Sequence, residues 1–500
     1  MSDWFSNIAI GFGVAFSLSN LLYCFYGVLL GTLIGVLPGL GPTATIAMLL
    51  PITFYLPPET AMIMLAGIYY GAQYGGSTAA ILVNIPGESS SVVTCLDGHA
   101  LARQGRGGPA LAIAALGSFF AGSVATLLIA SFAPALASVA LSFSAPEYFS
   151  LMVLGLVATI VMAQGSILRA LGMISLGILL GTVGLDLNTG AQRYMFGFTY
   201  LSDGLDFVVV AMGLFGFGEI MANLDKRESG ISTIAKVTNI WPTRDDLRRS
   251  WLPVLRGTAI GSALGLVPGG GATLSSFASY TMEKRLAADP SRFGRGAVEG
   301  LAGPESANNA GAQTSFVPML TLGIPSNVVM AMMIGAMMIQ GITPGPQVIS
   351  ERPQLFWGVI VSMWLGNLML VVLNLPLIGL WIKLLSIPYR LLFPAIVVIC
   401  TLGILSLNNN EFDVVMAAAF GLLGYVFVKL ECEPAPLLLG FILGPLLEEN
   451  LRRAMMMSHG DPSVFFVSPI SATILVISAL LLLVTVLPTI RRTREEAFQE

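Results

Sequence analysis

The phrase Gly-x-x-Pro-Gly-x-Gly-x-Thr occurs twice in this chain. It reads Gly35-Val36-Leu37-Pro38-Gly39-Leu40-Gly41-Pro42-Thr43 and then Gly265-Leu266-Val267-Pro268-Gly269-Gly270-Gly271-Ala272-Thr273. Each copy interrupts a strongly apolar segment. In lipid such an interruption is costly, because proline and adjacent glycines break the helix that satisfies the backbone where water is absent. Matched breaks in two halves of a membrane chain mark the binding site of a secondary transporter. One copy alone would read as a kinked helix packed through its glycines, since Gly and Pro are frequent in membrane helices. The matched second copy favours the binding-site reading.

The rest of the chain is built for a bilayer. Of its 500 residues, 55% are hydrophobic and 10% charged, against about 25% charged in soluble domains. Apolar stretches of about twenty residues recur from end to end, which predicts an all-α polytopic membrane protein. A net charge of −4 gives no basis for a nucleic-acid partner. Cys24, Cys95, Cys400 and Cys432 lie far apart and suggest neither a disulfide framework nor a metal knuckle. The opening Met1-Ser2-Asp3-Trp4 has no basic n-region and no small-residue cleavage site, so no cleaved signal peptide is expected.

Two membrane repeats are expected, residues 1–223 and 251–500, joined by a polar linker at 224–250 that carries Lys226, Arg227, Lys236, Arg244, Arg248 and Arg249. The positive-inside rule places this linker in the cytoplasm, and with it the C-terminal Arg491-Arg492-Thr493-Arg494. The first 102 residues hold no Lys or Arg, so the loop at 97–108 is the first one expected inside. The second motif copy lies between basic stretches ending at Arg256 and starting at Lys284. Roughly 25 residues separate them, short of the about 40 that a span and return require. A re-entrant hairpin is therefore expected at 257–281, and one open to the opposite face at 21–56, where no positive charge flanks it. Opposite entry sides mean inverted-topology repeats with discontinuous helices.

Further phrases recur in the same order. Gly71-Ala72-Gln73 returns as Gly311-Ala312-Gln313 and Ile85-Pro86 as Ile324-Pro325, at offsets of 240 and 239 against 230 for the motif. The extra residues are placed after Tyr280. The runs 109–138, 147–185, 204–222, 356–382, 391–407, 412–428 and 465–488 read as transmembrane helices. This gives about 10 to 14 crossing or re-entrant elements. The segment 434–450, broken by Pro434, Pro436, Gly440, Gly444 and Pro445, is left unassigned.

A carrier of anions must present donors at mid-membrane, and helix N-termini do so through free N–H groups and the positive end of the dipole. The two loops offer Gly39, Gly41 and Thr43, and Gly269, Gly271 and Thr273, with each threonine at the start of the next half-helix. Gln73, Ser77, Pro86 and Gly87 from the first half, and Asn309, Gln313, Pro325 and Ser326 from the second, complete the expected substrate site. Neutral amides and hydroxyls suit carboxylate and Na⁺ alike, and Asn84, Asn308 and Thr314 are the candidate Na⁺ ligands. The plainer alternative is that these groups hydrogen-bond between helices, for about 0.6 kcal/mol each.

Charged residues inside apolar segments are functional candidates, and Glu88 and Glu305 are the two that qualify. Glu219 and Asp186 read as helix-end residues at the interface, Arg169 as a cytoplasmic anchor in a turn. An intramembrane enzyme is disfavoured, because no His-Glu-x-x-His or Gly-x-Gly-Asp occurs and no nucleophile pairs with a histidine in an apolar segment. A channel is disfavoured by the lack of a filter-like repeat.

Together these phrases resemble the large membrane subunit of the tripartite tricarboxylate transporter family, the TctA type. The resemblance spans almost the whole chain. It includes Gly35–Thr43, Tyr70–Thr78 through Glu88, Gly265–Thr273, Pro304–Gln313, Gly323–Pro325, Phe420–Tyr425, and Leu439–Pro445 with Glu448, Glu449 and Arg452. The second motif has Gly270 and Ala272 where the first has Leu40 and Pro42, so the two tips need not be equivalent.

The resemblance implies a multi-pass protein of the bacterial inner membrane. It implies uptake of di- or tricarboxylates such as citrate, tartrate or aromatic acids, driven by a cation gradient. Neutral ligands place Na⁺ ahead of H⁺ as the coupling cation, and no cofactor is expected. The implied partners are a small four-helix membrane subunit and a periplasmic solute-binding protein, and a homodimer is left open. An elevator-like movement of one domain carrying both tips extends the repeat argument.

Overall fold

A chain this apolar can satisfy its backbone in lipid as helices or as a closed barrel, and almost every described element is a helix. The computed structural model describes residues 2–37, 41–163, 166–186, 189–225, 237, 239–267, 271–385 and 389–486. In chain order the first helices are α1 (Ser2–Ala15), α2 (Leu18–Val36), α3 (Pro42–Thr53) and α4 (Pro58–Val83). Short turns, Ser89–Ser91, Val92–Thr94, Cys95–His99 and Ala102–Arg106, lead into α5 (Gly107–Ala140), α6 (Ala145–Met162) and α7 (Ile167–Gly181). A two-stranded hairpin, Gly184–Leu185 with Gln192–Arg193, follows.

Next comes α8, built from Phe207–Ala211, a π-helical stretch Met212–Phe217, and Gly218–Asp225. The chain continues with α9 (Arg244–Gly265), α10 (Gly271–Leu286), α11 (Val298–Thr314), α12 (Phe316–Leu322), α13 (Val328–Ile339) and α14 (Pro353–Asn374). The last helices are α15 (Ile378–Leu384), α16 (Tyr389–Asn408), α17 (Glu411–Lys429), α18 (Pro434–Met457) and α19 (Pro469–Val486). Among the described residues five helical stretches are long and apolar enough to cross a bilayer, and several shorter apolar helices accompany them, as a multi-pass membrane protein requires.

Glycine spacing decides how the motif-bearing helices pack. Gly27, Gly31 and Gly35 of α2 lie one per turn against α4. A methyl group added at each would stand 2.3, 2.3 and 2.4 Å from the carbonyl oxygens of Met64, Ile68 and Ala72. Gly257, Gly261 and Gly265 of α9 meet Gly303, Ala307 and Gly311 of α11 in the same way, at 2.2, 2.2 and 2.4 Å. Small residues let membrane helices approach this closely, which maximises dispersion contact where no hydrophobic drive exists. After each pair the chain turns at a left-handed residue, Asn84 (φ 58°) after α4 and Gly323 (φ 71°) after α12.

A second apolar core lies apart from the main one. It joins Leu151, Met152, Leu156 and Ile160 of α6, Ile174 of α7 and Leu443 of α18 to Ile324, which lies between α12 and α13. Gly177 of α7 faces the Leu437 carbonyl, and Gly440 of α18 the Ile174 carbonyl, so these helices too are seated on glycine.

Several segments differ from the sequence expectation. The run 147–185 forms the two helices α6 and α7, but Arg169, expected in the turn between them, lies in the first turn of α7 and pairs with Glu431 at 2.7 Å. Residues 356–382 divide between α14 and α15. Residues 434–450 belong to α18: Pro434 and Pro436 fall in its first turn, where no backbone N–H is needed, and the helix continues through Pro445. The end of the linker is helical as well: Arg244–Ser250 open α9 behind a Thr243–Asp246 capping box.

Candidate functional site

Each motif copy ends one helix and begins another. Leu37 caps α2, and α3 starts at Pro42 with Gly41 as N-cap; proline suits this first position because its missing N–H is not required there. In the second copy α9 ends at Gly265 and α10 begins at Gly271, whose φ of 49° favours glycine. Gly39 and Gly269 lie outside the described residues.

Between these tips lies a cavity of about 620 Å³, within the range of small-molecule sites (about 300–1,000 Å³). Its wall is made largely of helix beginnings. Gly41, Pro42 and Thr43 open α3; Gly271, Ala272 and Thr273 open α10; Ser326, Asn327 and Val328 open α13. Glu88, Ser89 and Ser90 open the turn Ser89–Ser91. The first turn of a helix has backbone N–H groups without intrahelical partners and carries about half a positive charge. The facing wall comes from Thr159 and Ala163 at the end of α6, Glu219 of α8, and Glu433, Pro436 and Leu439 at the start of α18.

Hydrogen bonds tie the two halves together along this wall. Ser89 Oγ and Thr273 Oγ1 are 2.9 Å apart, and Ser276 Oγ donates to the Ser90 carbonyl at 2.8 Å. Asn327 Nδ2 donates to Tyr69 OH at 3.2 Å while its Oδ1 accepts from Met330 N–H at 3.0 Å, capping α13. Ser90 Oγ donates to Gln73 Oε1 at 2.8 Å and lies against the Glu88 carboxylate. No Lys, Arg or His occurs among the described residues of the lining, whereas Glu88, Glu219 and Glu433 do. Among the described lining residues positive charge can therefore come only from helix termini, while the side chains add carboxylate, hydroxyl and amide groups.

Of the expected substrate residues, Gly41, Thr43, Gln73, Pro86, Gly87, Gly271, Thr273 and Ser326 all line the cavity. Pro325 is buried just before Ser326. Ser77, Asn309 and Gln313 face other neighbours. Ser77 Oγ donates to the Glu305 carboxylate at 2.7 Å, Asn309 Nδ2 to Ser118 Oγ at 2.7 Å, and Gln313 Oε1 accepts from Thr126 at 3.1 Å. The candidate Na⁺ ligands stand at three separate places. Asn84 is the exposed residue that ends α4, Asn308 accepts from Asn309 at 2.6 Å, and Thr314 donates to the Ala310 carbonyl at 2.9 Å.

A one-residue register explains why Gln73 and Gln313 part ways. The matched phrases set Gln73 over Gln313, but the packing sets Ala72 over Gly311 and Asn84 over Gly323. Gln313 then corresponds to Tyr74, and one residue turns a side chain by about 100° around a helix. Sequence reasoning missed Tyr69, Ser89, Ser90 and Asn327. Asn327 carried a signal, an Asn directly before an apolar helical run; Tyr69 carried none.

Comparison with known proteins bears on this geometry. A sequence model described as the tripartite tricarboxylate transporter TctA family matches residues 21–439. An uncharacterized 52.8 kDa protein in the TAR-I ttuC' 3' region of Agrobacterium vitis is 60% identical over 500 residues, the full length of both chains. An uncharacterized protein in the TAR-II ttuC' 3' region of the same organism is 60% identical over 240 residues, 48% of this chain and 99% of its own. No solved structure matches.

Proposed function

The chain belongs to the tripartite tricarboxylate transporter TctA family, a component of a tripartite system with partner subunits, and from that premise we propose that it takes up a di- or tricarboxylate across the bacterial inner membrane. A cation gradient drives the step. The chain acts as the large subunit beside a small four-helix membrane protein, and a periplasmic binding protein delivers the substrate. The observation that carries this reading is the cavity walled by the opening turns of α3, α10 and α13.

A carboxylate at the tips accepts hydrogen bonds from Thr43 and Thr273 hydroxyls and from the free N–H groups of α3 and α10. Charge-assisted bonds of this kind are worth roughly twice neutral ones. A lining with three carboxylates and no basic side chain among its described residues leaves an entering polyanion short of positive charge. Cations that accompany the substrate supply it, which is the physical basis for coupling.

The matched glycine ladders support an internal duplication, and the charge pattern supports opposite orientation of its halves, with the linker and C-terminus cytoplasmic. An elevator-like movement of the tip-bearing helices against the remaining helices is part of this proposal. The test is uptake in proteoliposomes holding all three components. Accumulation of at least one carboxylate under an inward Na⁺ or H⁺ gradient is expected. No uptake across a panel of mono-, di- and tricarboxylates contradicts the reading.

A further inference from the structure

Glu305 of α11 is a carboxylate that the substrate cavity does not use. It is 1% exposed, and none of the ion pairs among the described residues reaches it. Ser77 Oγ donates to one of its oxygens at 2.7 Å, and Thr94 Oγ1 donates to the other. Beside it lies a cavity of about 10 Å³, bounded by α4, α5, α11 and the end of α14, close to the space of a single water-sized sphere.

The lining of that small cavity is rich in oxygen. It includes Glu305, Ser77, Ser118, Tyr74 and Asn374. Tyr74 OH and Asn374 Oδ1 have no hydrogen-bond partner among the described residues, and the two residues are only 4% and 5% exposed. Unpartnered oxygens and an unpaired carboxylate, all buried, are costly in a low-dielectric interior unless something positive or donating sits among them. Carboxylate, hydroxyl and amide carbonyl oxygens are the donor set of hard cations. A single negative charge is neutralised by a single positive one, whereas a divalent ion would leave net charge buried.

We propose that this cavity is a binding site for one Na⁺ ion, with Glu305 as the charged ligand and Ser77, Ser118, Tyr74 and Asn374 as neutral ones. The site joins helices of both halves: Ser77 lies on α4 and Glu305 on α11. It also lies one turn of α4 from the substrate cavity, since Ser77 Oγ is 3.0 Å from the carbonyl of Gln73. As the seat of a coupling ion, the site rests on the transport reading. Binding itself does not require transport and is measured without it.

The purified full chain is titrated with NaCl against KCl at constant ionic strength, and its thermal midpoint is followed. A saturable rise with Na⁺ is expected. Glu305→Gln abolishes it, while Gly172→Ala, which meets nothing within 4 Å, leaves it unchanged. Should Glu305→Gln fail to fold, Ser118→Ala and Asn374→Ala serve instead, each weakening the apparent Na⁺ affinity by about tenfold or more. No Na⁺-specific rise in the wild-type chain, a rise untouched by these variants, or a rise produced by lowering pH in place of Na⁺ overturns the proposal. Na⁺ binding without carboxylate uptake refutes the transport reading and leaves this site standing; uptake with no Na⁺ response does the reverse.

Discussion

Replacing Gly261 by alanine puts a methyl group 2.2 Å from the carbonyl oxygen of Ala307. Ordinary contact begins at 3.4 Å, so α9 and α11 must part by about 1 Å, which forfeits a quarter to a half of the dispersion contact along the seam. Overpacking of this kind costs about 1–3 kcal/mol. The upper end is expected here, because Gly257 and Gly265 seat the same pair one turn to either side and the strain cannot stay local. Gly31→Ala meets the Ile68 carbonyl at 2.3 Å and carries the same cost. Gly172→Ala has nothing within 4 Å and serves as the control, with helix propensity favouring alanine by about 1 kcal/mol. Thermal midpoints in one detergent compare the three. Matched losses are expected at positions 31 and 261 and none at 172. A Gly261→Ala chain as stable as Gly172→Ala, or sensitivity of only one of the two motif-bearing pairs, refutes glycine-seated packing.

Other outcomes follow from single contacts. Gln73→Ala is expected to weaken substrate affinity by roughly tenfold, the worth of about one to two kcal/mol of hydrogen bonding, while Gln313→Ala leaves affinity unchanged; equal effects in a binding assay contradict the register. Arg256 grips Glu283 at 2.7 and 2.6 Å and joins α9 to α10, with Glu283 only 2% exposed. Arg256→Met leaves that carboxylate unpaired, at about 3–5 kcal/mol, and adding Glu283→Gln recovers part of the lost thermal stability; no recovery contradicts the assignment. Burial works against the charge of Asp246 at the start of α9, but Arg106 and Thr243 outweigh it and hold the carboxyl below its usual range. A lowered folded value gives stability that is present above the unfolded value of about 3.9 and is lost as pH falls through the folded one. The thermal gap between wild type and Asp246→Asn should therefore stay constant from neutral pH to about 4 and narrow progressively below it, and a gap unchanged at lower pH contradicts it.

Much of the site was legible because breaks in an apolar run are hard to hide. Thr43, Thr273, Gln73 and Ser326 were singled out from local chemistry alone, and these residues line one cavity together with Gly41 and Gly271 of the two motif copies. Register was not legible from identical letters. Gly71-Ala72-Gln73 and Gly311-Ala312-Gln313 match by identity, but close packing is set by which residue offers no Cβ, and that moved the correspondence by one. Asn84 was read for its amide, whereas its place in the fold is a left-handed helix end that asparagine tolerates. Prolines misled at α18, where Pro434 and Pro436 begin the helix in its first turn and Pro445 lies inside it without ending it. Glu305 stood out as a charge in an apolar setting, but its neighbours on α4, α5 and α14 come together only in three dimensions.

The central claim, that carboxylate binds between the two helix tips, is tested most directly by protection from a thiol reagent. In a chain whose four cysteines, Cys24, Cys95, Cys400 and Cys432, have been replaced, Thr43→Cys and Thr273→Cys are labelled separately with a small methanethiosulfonate in the presence of increasing substrate. Protection of both positions with the same half-saturating concentration is predicted. A transported carboxylate that, at saturation, protects neither position would contradict the claim.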